Sequence, residues 1–578
     1  MRVRRAIPFR SILSIIVPIV LALSLGSQPQ EKSPEPVPDR MRAGFESIRS
    51  SDSASYLAFI SAEELEGRDT PSKGQAIARR YIQSLYRTWG VNPMGDAGGP
   101  SRSYEQRIPM VIKTYNPGTA LELLSPPTSQ VYAADRDFSF VMGADFSGTI
   151  EGPVVFAGYG ISAPDLGYDD FATVDVRNKI VLVAAGKPGG KRPDSPFNSR
   201  KHWARFEGRR TPAENCARLL ARKGAAALIV ADDSLDQYVS PHGYKHGAQI
   251  MSSSNRVFSP ALSVVDPMVP TFWASTRIAE AAFRSAPKSF AETVRMIDQD
   301  LKPGSFDLAG LRVRISLEMD QKISACGNLL GTIEGSDPEL RKEYVVIGAH
   351  LDHVGMNKDG YVFPGADDDG SGSVGVLQIA KALALNAAKP KRSIIFAHWT
   401  GEEKGLVGSR YFLKFPPVPL KDIVAYINLD MISHDSALQE IRDQAKTFRL
   451  TKEELDGIPG DPQKLLRAYI SLPSPDFAAL IAKTNSTYIG LDVIPLLSFP
   501  MLGNSDHYFF CLEKVPSVFF FTGGNETTHS PLDTVERINA EKMASVVKLA
   551  YVLAFSVADD PARPRWEQSG TSPGVPPF

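Results

Sequence analysis

Histidine and carboxylate residues recur in this sequence directly after short apolar segments. They are His350 with Asp352, the acidic loop 365–372, Glu402 with Glu403, Asp430, and His529. Imidazoles and carboxylates are costly to bring together unless a positive charge neutralises the carboxylates. A pair of divalent metal ions supplies that charge, so the pattern predicts a two-metal site.

The residue types also indicate which metal would bind. Nitrogen and oxygen ligands without a thiolate favour zinc, with cobalt or manganese as substitutes. Two-metal sites hold their ions about 3.5–4 Å apart and share a bridging carboxylate. One histidine and one carboxylate for each metal, plus one shared aspartate, would complete such a site. Of Glu402 and Glu403, one can bind a metal while the other takes a proton from the bridging water. Asp352 can accept the second ring N–H of His350 and orient that imidazole.

Apolar segments of strand length alternate with helical segments from about residue 310 onward. The predicted strands are 344–349, 393–398, 423–429 and 515–521, and the predicted helices are 371–388 and 539–558. This alternation predicts an α/β fold, with a three-layer, mostly parallel (mixed) sheet and helices on both faces. Ligands of such sheets bind at the carboxyl ends of the strands, which is where the histidines and carboxylates lie.

The N-terminus predicts an exported protein. Four arginines precede the apolar run 12–25, which is short for a membrane span and typical of a signal peptide. We therefore predict a signal peptide over residues 1–26, no stable membrane insertion after its removal, and a secreted or periplasmic location. A Pro-rich linker (27–43) follows, and a Pro-rich flexible tail (561–578) closes the chain.

Composition limits the classes of function. The 578 residues include 64 Lys plus Arg and 65 Asp plus Glu, for a net charge of −1, and 43 % are hydrophobic. These values exclude a disordered chain and a polybasic nucleic-acid binder, so no nucleic-acid partner is expected. The three cysteines cannot form a disulfide framework. The sequence leaves the oligomeric state open.

Six motifs resemble those of a known enzyme family. They are VVIGAHLDHVG (345–355), PGADDDGSG (364–372), TGEEKGLVGSRYF (400–412), INLDMI (427–432), SDHYFF (505–510) and THSPLDT (528–534). In order and content they resemble the co-catalytic di-zinc exopeptidases of clan MH, of the secreted bacterial leucyl aminopeptidase type. The resemblance implies the zinc exopeptidase fold and two Zn²⁺ ions.

The resemblance also implies roles for individual residues. Asp368 would bridge the metals, with His350 and Asp430 on one ion and Glu403 and His529 on the other. Glu402 would be the general base, and Asp352 would orient His350. The implied reaction removes N-terminal residues from peptides with a free N-terminus, through a zinc-bridged hydroxide.

A second resemblance concerns the region between the N-terminal helices and the motifs. The pieces FAGYGISAPDLGYDDF (156–171), VRNKIVLV (176–183) and AENCARLLARKGAAALIV (213–230) are similar to a protease-associated (PA) domain. The implied organisation is the N-terminal part of the peptidase domain over 44–135, a β-rich PA insert over 136–300, and the catalytic domain over 301–560.

Some features leave alternatives open. Family members often carry a tyrosine just before the SDH motif, whereas residues 500–504 here are PMLGN, and Tyr508 is a poor substitute. A carboxypeptidase or other amidohydrolase could use the same metals, but a carboxypeptidase would need Arg or Lys near the site, such as Lys404 or Arg410. A non-catalytic binding protein is the third alternative, which the complete ligand set disfavours. We expect a structural role for His353 and a core position for His398.

Overall fold

The computed structural model describes most of the chain. The described ranges are 34–98, 101–116, 118–125, 128–134, 137–142, 146–192, 194–198, 212–232, 255–258, 268–357, 360–436, 461–471, 474–498 and 505–567. The predicted signal peptide lies outside these ranges, as do residues 568–578 of the predicted tail. None of the helices in the described ranges is both long enough and apolar enough to cross a bilayer.

The α-helices and the strands of four or more residues are numbered here in chain order. The helices are α1 (Asp39–Ser47), α2 (Ser50–Ile60), α3 (Lys73–Trp89), α4 (Pro212–Lys223), α5 (Thr276–Ala282), α6 (Phe290–Asp300), α7 (Gly372–Leu385), α8 (Val407–Lys414), α9 (Pro475–Tyr488), α10 (His507–Leu512) and α11 (Ala540–Asp559). The strands are β1 (Glu105–Tyr115), β2 (Ala120–Ser125), β3 (Thr128–Ala133), β4 (Phe138–Met142), β5 (Gly148–Phe156), β6 (Ile180–Ala184), β7 (Ala227–Asp232), β8 (Asn255–Phe258), β9 (Thr271–Ser275), β10 (Phe306–Leu317), β11 (Met319–Ile333), β12 (Tyr344–His350), β13 (Ser393–Trp399), β14 (Ile423–Leu429), β15 (Leu465–Ser471), β16 (Asp492–Ser498) and β17 (Ser517–Phe521).

The larger sheet is mixed and has a parallel centre. Its strands lie in the order β8-β1-β11-β13-β12-β14-β17-β15-β16. The neighbours β13, β12, β14 and β17 run parallel to one another. Strand β11 pairs antiparallel with β13, and β15 pairs antiparallel with β17. The predicted α/β fold is confirmed, and the carboxyl ends of the four central strands meet at one edge of the sheet.

Helices cover both faces of this sheet because its central strands are apolar on both sides. Along β12, Val345 and Ile347 pack into the core that contains α7 and α11. Val346 points to the opposite face, where it packs with Phe412 of α8 and Phe510 of α10. Alternate residues of a strand face opposite sides, so a continuous apolar run needs a cover on each side. The predicted three-layer arrangement follows from this requirement.

A second mixed sheet is formed by the middle of the chain, in the order β3-β2-β10-β5-β6-β7-β9-β4. It begins at Ala120 and ends at Leu317, so it is wider than the insert predicted over 136–300. The hairpin β2–β3 joins this sheet because β2 pairs with β10. Strand β8, which falls inside the predicted insert, pairs with β1 of the larger sheet instead. Local sequence patterns indicate strands but not the sheet they join, and the identity of this region as a PA domain stays a prediction.

A buried carboxyl group organises one turn of the second sheet. Asp170 is fully buried, and its Oδ2 accepts hydrogen bonds from the main-chain nitrogens of Tyr159 and Ile161, both at 3.0 Å. The hydroxyl of Tyr168 donates to Asp170 Oδ1 at 2.8 Å. Gly158 approaches so closely that an added Cβ would lie 2.1 Å from this carboxylate. Burial raises the pKa of Asp170 to about 7, although the three hydrogen bonds act in the opposite direction.

We expect Asp170→Asn to change how stability depends on pH. An acid whose pKa is raised by folding binds more protons in the native state, so wild-type stability falls as pH rises from about 4 through 7. The loss is on the order of 3 kcal/mol. An asparagine carbonyl can still accept both N–H bonds but cannot ionise. The melting temperature of the variant minus that of the wild type should therefore become more positive from pH 4 to pH 7.5. A difference that stays the same over this pH range would contradict this prediction.

Candidate metal centre

The ends of the four central strands place the predicted site residues together. His350 is the last residue of β12, and Asp430 directly follows β14. Glu402 and Glu403 follow β13 within four residues, and His529 lies in the loop after β17. The parallel centre of the sheet therefore brings residues that are up to 179 positions apart (529 minus 350) to one edge.

Asp368 lies between two groups of side chains. Its Oδ1 is 3.3 Å from Nε2 of His350, whereas its Oδ2 is 2.9 Å from Nε2 of His529. Nδ1 of His353 is 3.8 Å from the same Oδ2. A carboxylate that turns one oxygen to each of two ligand groups has the arrangement of a bridging ligand.

The aspartates on either side of Asp368 bind the main chain instead. Asp369 accepts hydrogen bonds from the nitrogens of His350 (3.1 Å), Gly372 (2.8 Å) and Met431 (3.2 Å). It thereby joins the end of β12, the start of α7 and the residue that follows Asp430. Asp367 accepts from the nitrogen (3.0 Å) and the hydroxyl (2.6 Å) of Ser433. These two carboxylates hold the loop in place and leave Asp368 to face the imidazoles.

Two groups of ligand atoms result, each with its members within 4.8 Å of one another. One is His350, Asp368 and Asp430, and the other is His353, Asp368, Glu403 and His529. The five residues predicted as metal ligands are therefore brought together in the predicted pairing. His353, for which a structural role was expected, joins the second group.

The charges within these groups respond strongly to one another. Burial alone would raise the pKa of Asp368, but His353, His350 and His529 hold it well below its usual range. The pKa of Glu403 is also lowered: burial would raise it, but the charge of His529 outweighs that effect. The pKa of His529 is raised well above its ordinary value, because Glu403 and Asp368 outweigh the effect of burial. The carboxylates stabilise positive charge at this position, as a cation site requires.

A metal ion fits the chemistry of these residues. The ring nitrogens of His353 are buried and have no hydrogen-bond partner among the described residues. Buried polar atoms are normally satisfied, so such an orphan needs an explanation. Imidazole nitrogen and carboxylate oxygen in one cluster, without a thiolate, are ligands typical of zinc.

Glu402 lies beside the candidate metal ligands but belongs to neither group. Its main-chain nitrogen donates to Asp352 Oδ1 at 3.2 Å. Desolvation of its carboxyl group raises the pKa of Glu402 well above the usual value. The charge of His350 opposes this shift, and the charge of Glu403 adds to it. A bound cation would act in the opposite direction.

Asp352 supports His350 by a different contact from the one predicted. Nδ1 of His350 lies 2.9 Å from the main-chain oxygen of Asp352, not from its carboxylate. The carboxylate accepts a hydrogen bond from the main-chain N–H of Glu402 instead. Asp352 therefore contacts both the first histidine and the loop of Glu402.

Sequence reasoning missed several residues that position the ligands. Ser505, in the SDH motif, donates its hydroxyl to Asp430 Oδ2 at 2.5 Å and accepts from Nδ2 of Asn428. Asp533 accepts hydrogen bonds from the nitrogens of Asp367 (2.9 Å) and Asp368 (3.0 Å). Both residues lie within the quoted motifs, which could have indicated a role at the site, but only the fold shows what each of them contacts.

Arg68 is the largest support that the motif analysis missed. Its side chain is fully buried. Its guanidinium donates to the main-chain oxygens of Leu351 (2.8 Å) and Ile60 (2.6 Å). It also donates to those of Pro364 (2.6 Å) and Gly365 (2.7 Å). Leu351 follows His350 and Gly365 precedes the aspartate loop, so one side chain links the N-terminal segment to both ligand loops.

A neighbouring pair of residues supports the loop of the two glutamates. Thr70 accepts a hydrogen bond from the nitrogen of Gly401 at 3.1 Å. Gln75 donates through Nε2 to the hydroxyl oxygens of Thr70 (2.7 Å) and Thr400 (2.5 Å). The segment around residues 68–75 thus supports the ligand loops that follow β12 and β13.

Other residues considered from sequence lie away from the metal ligands or outside the described ranges. Residues 500–504, where the family tyrosine is absent, lie outside the described ranges. His398 is a core residue, as expected: it is fully buried, and its Nε2 lies 2.8 Å from the hydroxyl of Tyr86. The three cysteines are buried and unbridged.

Comparison with known proteins gives an independent result. Residues 328–554 match the model of Peptidase family M28. A probable leucine aminopeptidase of Arthroderma benhamiae is 28 % identical over 263 residues, which cover 41 % of this chain and 65 % of that protein. Leupeptin-inactivating enzyme 1 of Streptomyces exfoliatus is 32 % identical over 154 residues, which cover 26 % of this chain and 33 % of that protein. The chain thus spans less than two thirds of each relative.

A solved structure shares the fold over nearly the whole chain. The aminopeptidase from Aneurinibacillus sp. strain AM-1 superposes with a TM-score of 0.54 at 17 % identity, covering 92 % of this chain and 98 % of that one. At this identity the likeness concerns the fold alone. It supports the α/β fold predicted from sequence. Over residues 328–554, the chain is thus similar to Peptidase family M28.

Proposed function

We propose that this protein is a zinc-dependent aminopeptidase that removes N-terminal residues from peptides. The observation that carries the proposal is the division of Asp368 between two ligand groups, with Glu402 beside both and a member of neither. Leucine aminopeptidases among the partial relatives support the same reaction. We also propose that the protein is exported, as its N-terminal sequence predicts.

The residues of the chain divide the work of hydrolysis. His350 and Asp430 would hold one ion, Glu403 and His529 the other, and Asp368 both. When bound, divalent zinc supplies Lewis-acid chemistry: it lowers the pKa of water from about 15.7 toward neutrality and polarises a carbonyl oxygen. Glu402 accepts the proton of the attacking water and delivers it to the leaving amine. The carboxylate of Asp352 accepts a hydrogen bond from the main-chain N–H of Glu402 and so keeps this base in position.

The cations near the site disfavour a carboxypeptidase. A C-terminal carboxylate would need an available Arg or Lys. Arg68 has four main-chain acceptors and no exposure. Lys404 forms an ion pair with Asp69 at 2.7 Å, and the guanidinium of Arg410 lies over the ring of Phe509 at 5.6 Å. Within the described part of the chain, each of these three cations is already engaged, which supports recognition of an N-terminus over recognition of a C-terminus.

The test measures metal content together with hydrolysis of leucyl-anilide. We expect two zinc ions per chain, activity that is lost on chelation and restored by zinc, and no hydrolysis of the N-acetylated substrate. Chelation should also lower the melting temperature, because ligands that bind only the native state stabilise it. Two zinc ions with activity only on C-terminal residues would favour the carboxypeptidase. A folded protein that takes up no metal would overturn the proposal in favour of a binding protein.

A further inference from the structure

His353 is a fully buried histidine in the loop that follows β12. Its Nδ1 lies 3.3 Å from Glu403 Oε1 and 3.8 Å from Asp368 Oδ2. Its ring is 5.4 Å from the ring of His529, measured between centroids. Neither ring nitrogen makes a hydrogen bond within the described residues. The approach to Glu403 therefore lacks hydrogen-bond geometry, although leaving a buried imidazole unsatisfied is costly.

The spacing of the ligand atoms fits a four-coordinate ion. Zinc bonds to imidazole nitrogen and carboxylate oxygen are about 2.0–2.2 Å long, so the edges of the tetrahedron are roughly 3.3–3.6 Å. The measured edges are 3.3 Å and 3.8 Å from His353 Nδ1 to Glu403 and Asp368. Those from His529 Nε2 to the same two residues are 3.0 Å and 2.9 Å. A small relaxation outward from His529 would place all four atoms around one ion.

The other group has fewer ligands. It consists of His350, Asp368 and Asp430, with His350 Nε2 at 3.3 Å from Asp368 and 3.8 Å from Asp430. Ser505 already donates to the second oxygen of Asp430. Three protein ligands leave a coordination position open, whereas four close a tetrahedral site.

We propose that His353 is a metal ligand, so that one ion has four protein ligands and the other has three. This inference rests on the proposed two-metal site. Its consequence is a functional difference between the ions. The four-ligand position binds the first ion and retains it. The three-ligand position at His350 and Asp430 exchanges more readily and keeps the open place for the attacking water and the substrate.

The test counts coordinated imidazoles in the full-length protein loaded with cobalt. Each coordinated histidine that keeps a ring N–H gives one solvent-exchangeable, hyperfine-shifted proton resonance. We expect three such resonances in the wild type, from His350, His353 and His529, and two in His353→Gln. Two resonances in both proteins would overturn the proposal and leave His353 as a support for Glu403. The wild-type count decides the question even where the variant does not fold.

Zinc binding gives a second readout, with His350→Gln as the matched variant at the other position. In dialysis against buffered free zinc, we expect two separate binding steps in the wild type. His353→Gln should weaken the tighter step by at least about tenfold, and His350→Gln should weaken the looser step. Loss of the looser step in His353→Gln would contradict the assignment. A wild type that binds no metal would instead refute the proposed function, so the two failures are distinguishable.

Discussion

Replacing Glu402 with glutamine is expected to lower kcat for leucyl-anilide by about 10²- to 10⁴-fold while both metal ions stay bound. Glutamine keeps the size of the side chain but cannot accept the proton of the attacking water. Glu402 belongs to neither ligand group, so its replacement removes no metal contact. The measurement combines steady-state kinetics with the metal content of the same preparation. Because binding does not need the proton acceptor, KM should change much less than kcat.

The matched control for this experiment is the adjacent glutamate. Glu403 lies 3.0 Å from His529 and 3.3 Å from His353, within the four-residue ligand group. Glu403→Gln should therefore lose affinity for metal, and its activity should recover partly at high zinc concentration. Recovery of Glu402→Gln by added zinc would show that Glu402 holds a metal and would contradict its assignment as the base.

Replacing Arg68 with methionine is expected to lower the free energy of unfolding by about 3–5 kcal/mol. Burial lowers the pKa of Arg68 to about 10, although Asp533 and Asp369 oppose that effect, so the guanidinium is still charged at neutral pH. Methionine would leave four main-chain oxygens without their donor. Each unsatisfied buried acceptor costs about 1–3 kcal/mol, and the nearby carboxylates would lose a compensating charge.

The effect of Arg68 should extend from stability to metal binding. Its acceptors Leu351, Pro364 and Gly365 lie in the two loops that carry His350 and Asp368. Denaturation and zinc titration of Arg68→Met should therefore both change. Arg102→Met is the control, since Arg102 is exposed and also donates to two main-chain oxygens, those of Gly95 and Pro417. Equal losses in the two variants would contradict a special role for Arg68.

The sequence by itself determined the central sheet and most of the candidate ligand set. Continuous apolar runs such as 344–349 and 423–429 are recognisable because both faces of a central strand are covered. Residues at the carboxyl ends of parallel neighbours converge without further information, which is why His350, Asp430 and the glutamates could be grouped. The choice of Asp368 among three aspartates depended on resemblance, because spacing alone does not separate three adjacent carboxylates.

Tertiary structure decided everything that depends on contacts between distant segments. Strand β2 pairs with β10, from which it is separated by about 190 residues (312 minus 124 for one pair), and no local pattern records such a partner. The same holds for Arg68, whose acceptors lie up to 297 positions away, and for Ser505, which orients Asp430. A structural role is expected for His353 from sequence because its position in the motif does not indicate where its side chain points. Only the folded loop turns its ring toward Glu403 and His529, where a buried imidazole can serve as a ligand.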